Sequence, residues 1–137
     1  MDNHQTALLE LVKNALFKTP LDIPEDIDWD TLYEESVNQT VVSLIAGSVP
    51  KEHSARFEGT RLRYRAQYMK ILFEQNMLAA LLSENHIPMM IIKGIGAARY
   101  YPVPADRVMG DIDVLVPVGD YERAKDLLLN HQYSFDH

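Results

Sequence analysis

The chain has 137 residues and no cysteine, and 47% of its residues are hydrophobic, which is enough apolar material for one folded domain. The missing cysteine excludes disulfides and thiolate metal sites within the chain. The net charge of −7 disfavours, without excluding, nucleic acid as a partner, and no apolar run approaches the roughly 18 residues that cross a bilayer. With a polar, acidic N-terminus, these features predict a cytoplasmic protein that does not bind membranes.

The first half of the sequence is predicted to be helical. Apolar residues recur at helical spacing in residues 8–16 and predict a first helix that ends before Pro20. An acidic linker follows over residues 19–28. The pattern Thr31-x-x-Glu34 resembles a capping box and predicts a second helix that runs to Gly47.

A long third helix is predicted between Pro50 and about Glu84. Six apolar residues step through it by threes and fours, which predicts a core-facing stripe: Leu62, Ala66, Met69, Phe73, Met77 and Ala80. Residues 51–75 also carry six Lys or Arg against three acids. Three of these cations recur every seven residues, and we expect them to be a solvated face rather than a surface for an anionic ligand: Arg56, Arg63 and Lys70.

The periodicity changes at Pro88. Residues 89–92 form an uninterrupted apolar run that predicts a strand buried on both faces, and residues 94–100 suit a short helix. A second strand is predicted over residues 111–116. Asp120 is expected to cap a last helix, on which three residues share one face: Tyr121, Ala124 and Leu128.

Asp111 and Asp113 are the candidate metal ligands. Side chains alternate along a strand, so both carboxylates would project from one face, about 7 Å apart, with Ile112, Val114 and Val116 on the other. Carboxylates this close repel each other unless a cation or solvent compensates, and Mg²⁺ takes oxygen ligands of this kind. The alternative is a solvated pair with no binding role.

A second acidic alternation, residues 26–30, has a different interpretation. It lies directly before a predicted helix, where acids supply an N-cap and favour the positive end of the helix dipole. We therefore assign it to capping.

The first predicted strand leads into Lys93 and Gly94, where a helix begins. Backbone N–H groups at such a turn bind anions, and a glycine lets a phosphate approach the chain closely. Lys93 would add a positive charge. Simple helix–strand packing at Gly94 and a solvated Lys93 are the alternatives.

Two segments carry a family resemblance: Lys93-Gly94-Ile95-Gly96-Ala97-Ala98-Arg99-Tyr100-Tyr101-Pro102, and Arg107-Val108-Met109-Gly110-Asp111-Ile112-Asp113-Val114-Leu115-Val116-Pro117. Together they resemble the uncharacterised bacterial nucleotidyltransferase family, which belongs to the polymerase-beta-like nucleotidyltransferase superfamily. The resemblance is specific over about residues 88–133 and looser over the helical first half.

The resemblance implies an α+β fold, with a helical region over residues 1–86 packed on a partial, mixed nucleotidyltransferase-like sheet over residues 87–137. It implies transfer of a nucleoside monophosphate from a nucleoside triphosphate to an unknown acceptor. Asp111 and Asp113 would bind Mg²⁺, and Lys93, Gly94 and Arg107 would contact phosphate. For Arg107, a salt bridge to Asp106 or to the aspartate pair is the alternative.

The sequence departs from the family pattern in three places. Ile95 stands where many members of the superfamily have a serine, and the gap from Gly94 to Asp111 is long. The resemblance also implies a third carboxylate on a later strand, but Asp136, the only acid after the last predicted helix, comes too early to match it. Two other functions therefore stay open: a non-catalytic module that binds nucleotide or a partner, and a sugar transferase.

Overall fold

The computed structural model describes residues 1–134, so Asp136 lies outside the described residues. The chain is mostly helical with a small antiparallel sheet, which confirms the α+β class. The described elements, in chain order, are α1 (Asn3–Phe17), α2 (Trp29–Asn38), α3 (Val42–Ile45), α4 (Ala55–Glu84), β1 (Met90–Ile92), α5 (Ile95–Ala98), β2 (Asp113–Leu115) and α6 (Tyr121–Asn130).

The acidic residues before α2 cap that helix, as predicted. The Asp28 side chain accepts hydrogen bonds from the Asp30 N–H (3.1 Å) and the Thr31 hydroxyl (2.8 Å). The bond from Thr31, followed by the one from Asp30, holds the pKa of Asp28 below its ordinary value. The predicted capping box that starts at Thr31 is therefore wrong, because Asp28 already occupies the cap position.

The second helix does not run on to Gly47, as the sequence predicted. It ends at Asn38, and Thr40 then takes a left-handed conformation with φ 58°. The Val41 N–H donates to the Ser36 carbonyl (2.9 Å) and closes the turn. This change of direction lets the separate helix α3 bury Val42 and Ile45 completely.

The first core cluster joins α1, α2, α3 and the start of α4, around buried Leu11, Leu32 and Phe57. Arg56 lies on the outside of this cluster, with its guanidinium 3.8 Å from the centre of the Tyr33 ring. It also forms ion pairs with Glu34 and Asp30. The prediction that Arg56 is only solvated is therefore wrong.

Helix α4 confirms the predicted long helix, but its apolar stripe faces solvent. Four large residues, called here the exposed stripe, are each more than half exposed: Leu62 (66%), Met69 (58%), Phe73 (62%) and Met77 (53%). The prediction that they belong to the core is wrong. The helix instead turns Phe57 towards the first cluster, and Leu78 and Leu82 towards a second.

Strands β1 and β2 pair in antiparallel register, and Ile91 lies opposite Val114. One face is packed, because Val114 and Val116 contact the second core cluster of Leu78, Leu82, Ile87 and Ala124. The predicted burial of β1 on both faces is wrong, since Met90 is 65% exposed. Two antiparallel strands are described where a mixed sheet was predicted, and the domain boundary at residue 86 stays a prediction.

Helix α6 confirms the predicted last helix, and Ala124 and Leu128 pack in the second cluster, while Tyr121 is about half exposed. Asp120 precedes the helix but makes no side-chain capping bond, and it pairs instead with Arg123 at 2.8 Å. None of the helices in residues 1–134 combines the length and the apolar composition that a bilayer crossing requires.

Candidate functional site

The two aspartates differ in their placement. Strand β2 begins at Asp113, so Asp111 precedes the strand, and the prediction that the strand begins at Asp111 is wrong. Asp113 lies opposite Ile92 and next to inward-packed Val114, which places its carboxylate on the open face of the sheet. Both are accessible to solvent: Asp111 is exposed and Asp113 is half-buried.

Two successive residues in the turn after β1 have positive φ angles. Lys93 has φ 56°, and Gly94 follows with φ 49° and ψ −118°. A Cβ atom at Gly94 would meet nothing closer than Met109 Sδ at 3.8 Å, so there is space for a side chain. Glycine is favoured here by the positive φ angle. Helix α5 is a single turn, and any anion here would depend on individual N–H groups more than on a helix dipole.

The turn and β2 bring two of the predicted site residues together. Lys93 Nζ lies 3.8 Å from Asp113 Oδ2, and both side chains are substantially exposed. A pair this exposed adds little stability. The consequence is local: a cation from the glycine turn stands beside a carboxylate of the predicted metal pair.

Arg107 follows a turn of 3₁₀ helix, Pro104–Asp106, and its N–H donates to the Pro104 carbonyl. Neither predicted alternative for Arg107 is found, because the Asp106 carboxylate is bound by Arg65 and no ion pair joins Arg107 to the aspartates in the part of the chain that the structure describes. The adjoining Met109 is buried beside Gly94. The glycine turn and the segment that carries Arg107 therefore lie side by side.

Two residues of α4 hold this segment in place, and sequence reasoning missed both. Arg65 donates from Nε to Asp106 Oδ1 (2.7 Å) and from Nη2 to Oδ2 (3.0 Å), while Gln67 donates to the Met109 carbonyl (2.6 Å). The hydrogen bond to Asp106 raises the pKa of Arg65. Asp106 is only 5% exposed, so this two-bond ion pair is a buried anchor between α4 and the segment before β2.

The two carboxylates could belong to a Mg²⁺ site in which water and substrate supply the remaining ligands. Within residues 1–134, no three His, Cys, Asp or Glu side chains form a cluster that could enclose a metal. Mg²⁺ commonly takes one or two carboxylates and keeps water and substrate phosphates as its other ligands. Two accessible aspartates, with a lysine that compensates one of them, fit that requirement.

The model of a family described as "Uncharacterised nucleotidyltransferase" matches residues 25–137, which is most of the chain. No curated protein and no solved structure matches it.

Proposed function

The chain belongs to the uncharacterised nucleotidyltransferase family, and from that membership we propose that it is a Mg²⁺-dependent nucleotidyltransferase of the polymerase-beta-like superfamily. It would move a nucleoside monophosphate from a nucleoside triphosphate to the hydroxyl of an acceptor. The observation that carries the proposal is the pairing of the glycine turn with the acidic strand, through Lys93 and Asp113 at 3.8 Å.

Asp111 and Asp113 are the proposed Mg²⁺ ligands. Their exposure leaves room for water and for phosphate oxygens beside them. A bound Mg²⁺ would orient the triphosphate and offset the charge that develops on the leaving pyrophosphate. The Lys93 ammonium holds a positive charge beside Asp113 and would turn to phosphate once a metal neutralises that carboxylate.

The phosphates are proposed to lie along the turn after β1. The Gly96 N–H already donates to the Lys93 carbonyl, so the candidate donors are the N–H groups of Gly94 and Ile95. Arg107 approaches from the neighbouring segment, with no side-chain hydrogen bond or ion pair in residues 1–134. Its guanidinium is therefore available to a phosphate.

In the proposed reaction, the acceptor hydroxyl oxygen forms a bond to the α-phosphorus, and the bond between that phosphorus and the bridging oxygen to the β-phosphate breaks. Pyrophosphate leaves with that electron pair, and the hydroxyl proton passes to solvent. The residues described here would bind and orient the nucleoside triphosphate for this step. They also supply the positive charge that faces the leaving group.

Calorimetric titration of the chain with each nucleoside triphosphate, with and without Mg²⁺, tests the proposal. We expect Mg²⁺-dependent binding that weakens at least about tenfold in Asp111→Asn/Asp113→Asn. The control is Asp22→Asn/Asp126→Asn, which removes the same two charges at exposed positions outside the site. Equal affinity in the site variant and the parent would reject the metal assignment.

A pyrophosphate-release assay with the same proteins then separates transfer from binding. Mg²⁺-dependent binding without pyrophosphate release would identify the non-catalytic nucleotide-binding module instead. A preference for a sugar nucleotide over the plain triphosphate would identify a sugar transferase.

A further inference from the structure

The exposed stripe of α4 lies nearly opposite the buried face of the same helix. With 3.6 residues in each turn, its four side chains and the small Ala66 and Ala80 fall within a sector of about 80° around the helix axis. The residues that pack into the two core clusters, Phe57, Leu78 and Leu82, lie about 180° away from it. No element of residues 1–134 covers the stripe, whose members are each more than half exposed.

The stripe is large enough to form the centre of a protein–protein interface. Its four side chains together expose on the order of 500 Å² per chain, near the upper end of the range for the largest apolar patch on a monomer. Two such faces packed together would bury about 1,000 Å², which is the lower limit for a specific interface. The flanking residues of α4 would add to this area.

The charges of α4 are separated along its length. Residues 55–70 include five Lys or Arg and one Glu, whereas residues 71–84 include two Glu and no Lys or Arg. Exposed Lys70 and Glu74 lie on the same flank of the stripe and form no ion pair within residues 1–134. A second α4 in the opposite direction would place its acidic half beside the basic half of the first, whereas a parallel one would bring like charges together.

We propose that the exposed stripe is a homodimer interface, on which the α4 helix of a second copy of this chain packs in the antiparallel direction. A twofold axis at Phe73 makes the surface complementary to itself, because every contact is then made twice. Phe73 meets its own copy, and Met69 meets the partner's Met77. Ala66 meets the partner's Ala80, and these small side chains let the two helix axes approach to about 8–10 Å.

The same axis brings the unpaired charges together. Lys70 lies three residues before the axis and Glu74 one residue after it, so Lys70 and the partner's Glu74 are offset by only about 3 Å along the helix. The dimer therefore has two equivalent ion pairs, one on each side of the axis. Exposed pairs of this kind contribute little affinity, but they select the antiparallel orientation.

Sedimentation velocity at protein concentrations from about 1 to 300 µM tests the proposal, because the population of a dimer depends on concentration. We expect a Kd of roughly 10–100 µM, since an interface at the lower size limit binds weakly. Phe73→Glu places two carboxylates against each other at the axis and should give a monomer at every concentration. Phe17→Glu is the matched control: it makes the same change at a phenylalanine that is 73% exposed at the end of α1, and it should leave the Kd unchanged.

Reversal of the charges tests the orientation of the two helices. Lys70→Glu or Glu74→Lys alone turns both ion pairs into repulsions and should raise the Kd about tenfold. Lys70→Glu/Glu74→Lys restores opposite charges at both pairs and should return the Kd to within about threefold of the parent value. Circular dichroism at about 1 µM, where the chain is monomeric, should show the same helicity in all variants, because every substituted residue is exposed.

The dimer and its orientation are overturned by different results. A parent that stays monomeric up to about 300 µM overturns the proposal, as does a Phe73→Glu variant that dimerises as strongly as Phe17→Glu. If the single reversals dimerise like the parent, or if the double reversal does not recover the dimer, the antiparallel arrangement is overturned. None of these results bears on the proposed function, which depends on other residues.

Discussion

Arg65→Ala should destabilise the chain strongly, although Arg65 lies in a stretch that looks like a solvated basic face. The substitution leaves the Asp106 carboxylate, which is 5% exposed, without either of its two hydrogen bonds from the guanidinium. Removing one partner of a buried ion pair costs about 3–5 kcal/mol. The Arg65 side chain is 33% exposed, so water reaches this site in part, and we expect the lower end, about 3 kcal/mol.

Substitution of the other partner of the pair should cost less free energy of unfolding. Asp106→Ala leaves a guanidinium that water can solvate, so we expect a loss of about 1–2 kcal/mol. In Arg65→Ala/Asp106→Ala, the two losses should not add, and the coupling energy should reach about 1–3 kcal/mol. The asymmetry follows from the burial of the carboxylate, which is much deeper than that of its partner.

Urea denaturation of the four proteins, followed by circular dichroism at 222 nm, measures each free energy of unfolding. For a chain of this size, about 3 kcal/mol lowers the Tm by roughly 10 °C. Lys70→Ala, an exposed position on the same helix, serves as the control and should change stability by less than about 0.5 kcal/mol. Additive losses, or an Arg65→Ala loss as small as the control's, would refute the view that this pair anchors the segment before β2.

Three further outcomes are expected. Gly94→Ala should lose about 1–2 kcal/mol of stability and weaken nucleotide binding, because a side chain there must adopt φ 49°; unchanged unfolding and calorimetric titration would contradict this. The pKa of Asp28 is lowered, so its charged form stabilises α2 above the ordinary carboxyl pKa, and this contribution is lost as the pH falls through the lowered pKa. The Tm values of Asp28→Ala and the parent should therefore differ at pH 7 and converge in acid. A difference in Tm that does not depend on pH would contradict this. Phe73→Ala should cost less than about 1 kcal/mol in urea denaturation and Leu82→Ala about 2–4 kcal/mol, since the first is 62% and the second 1% exposed; equal losses would show that the exposed stripe is covered in solution.

Local sequence signals predicted the elements well where the signal and the structure depend on the same few residues. Helical periodicity predicted the presence of α1, its end before Pro20 and the extent of α4, and the acids before α2 cap that helix as predicted. Each of these features is decided within about one turn of chain.

Features that depend on distant partners were missed. The α4 stripe has ideal helical spacing, but periodicity tells which residues share a face and not whether another element covers that face. Asp106 is 41 residues from Arg65, and nothing near either residue in the sequence indicates the other.

Helix α4 sets the distance and the relative orientation of the two core clusters. Its buried residues are Phe57 and Thr60 at one end and Leu78 and Leu82 at the other, and the intervening turns, all of which the structure describes, bury no side chain fully. At 1.5 Å of rise and about 100° of rotation per residue, inserting one residue between them would turn the second cluster away from its partners by more than a quarter of a circle. Apart from Arg65 and Gln67, which bind the segment before β2, this middle stretch should therefore accept many changes of residue type but no change of length. Burial alone would not suggest this constraint on homologous sequences.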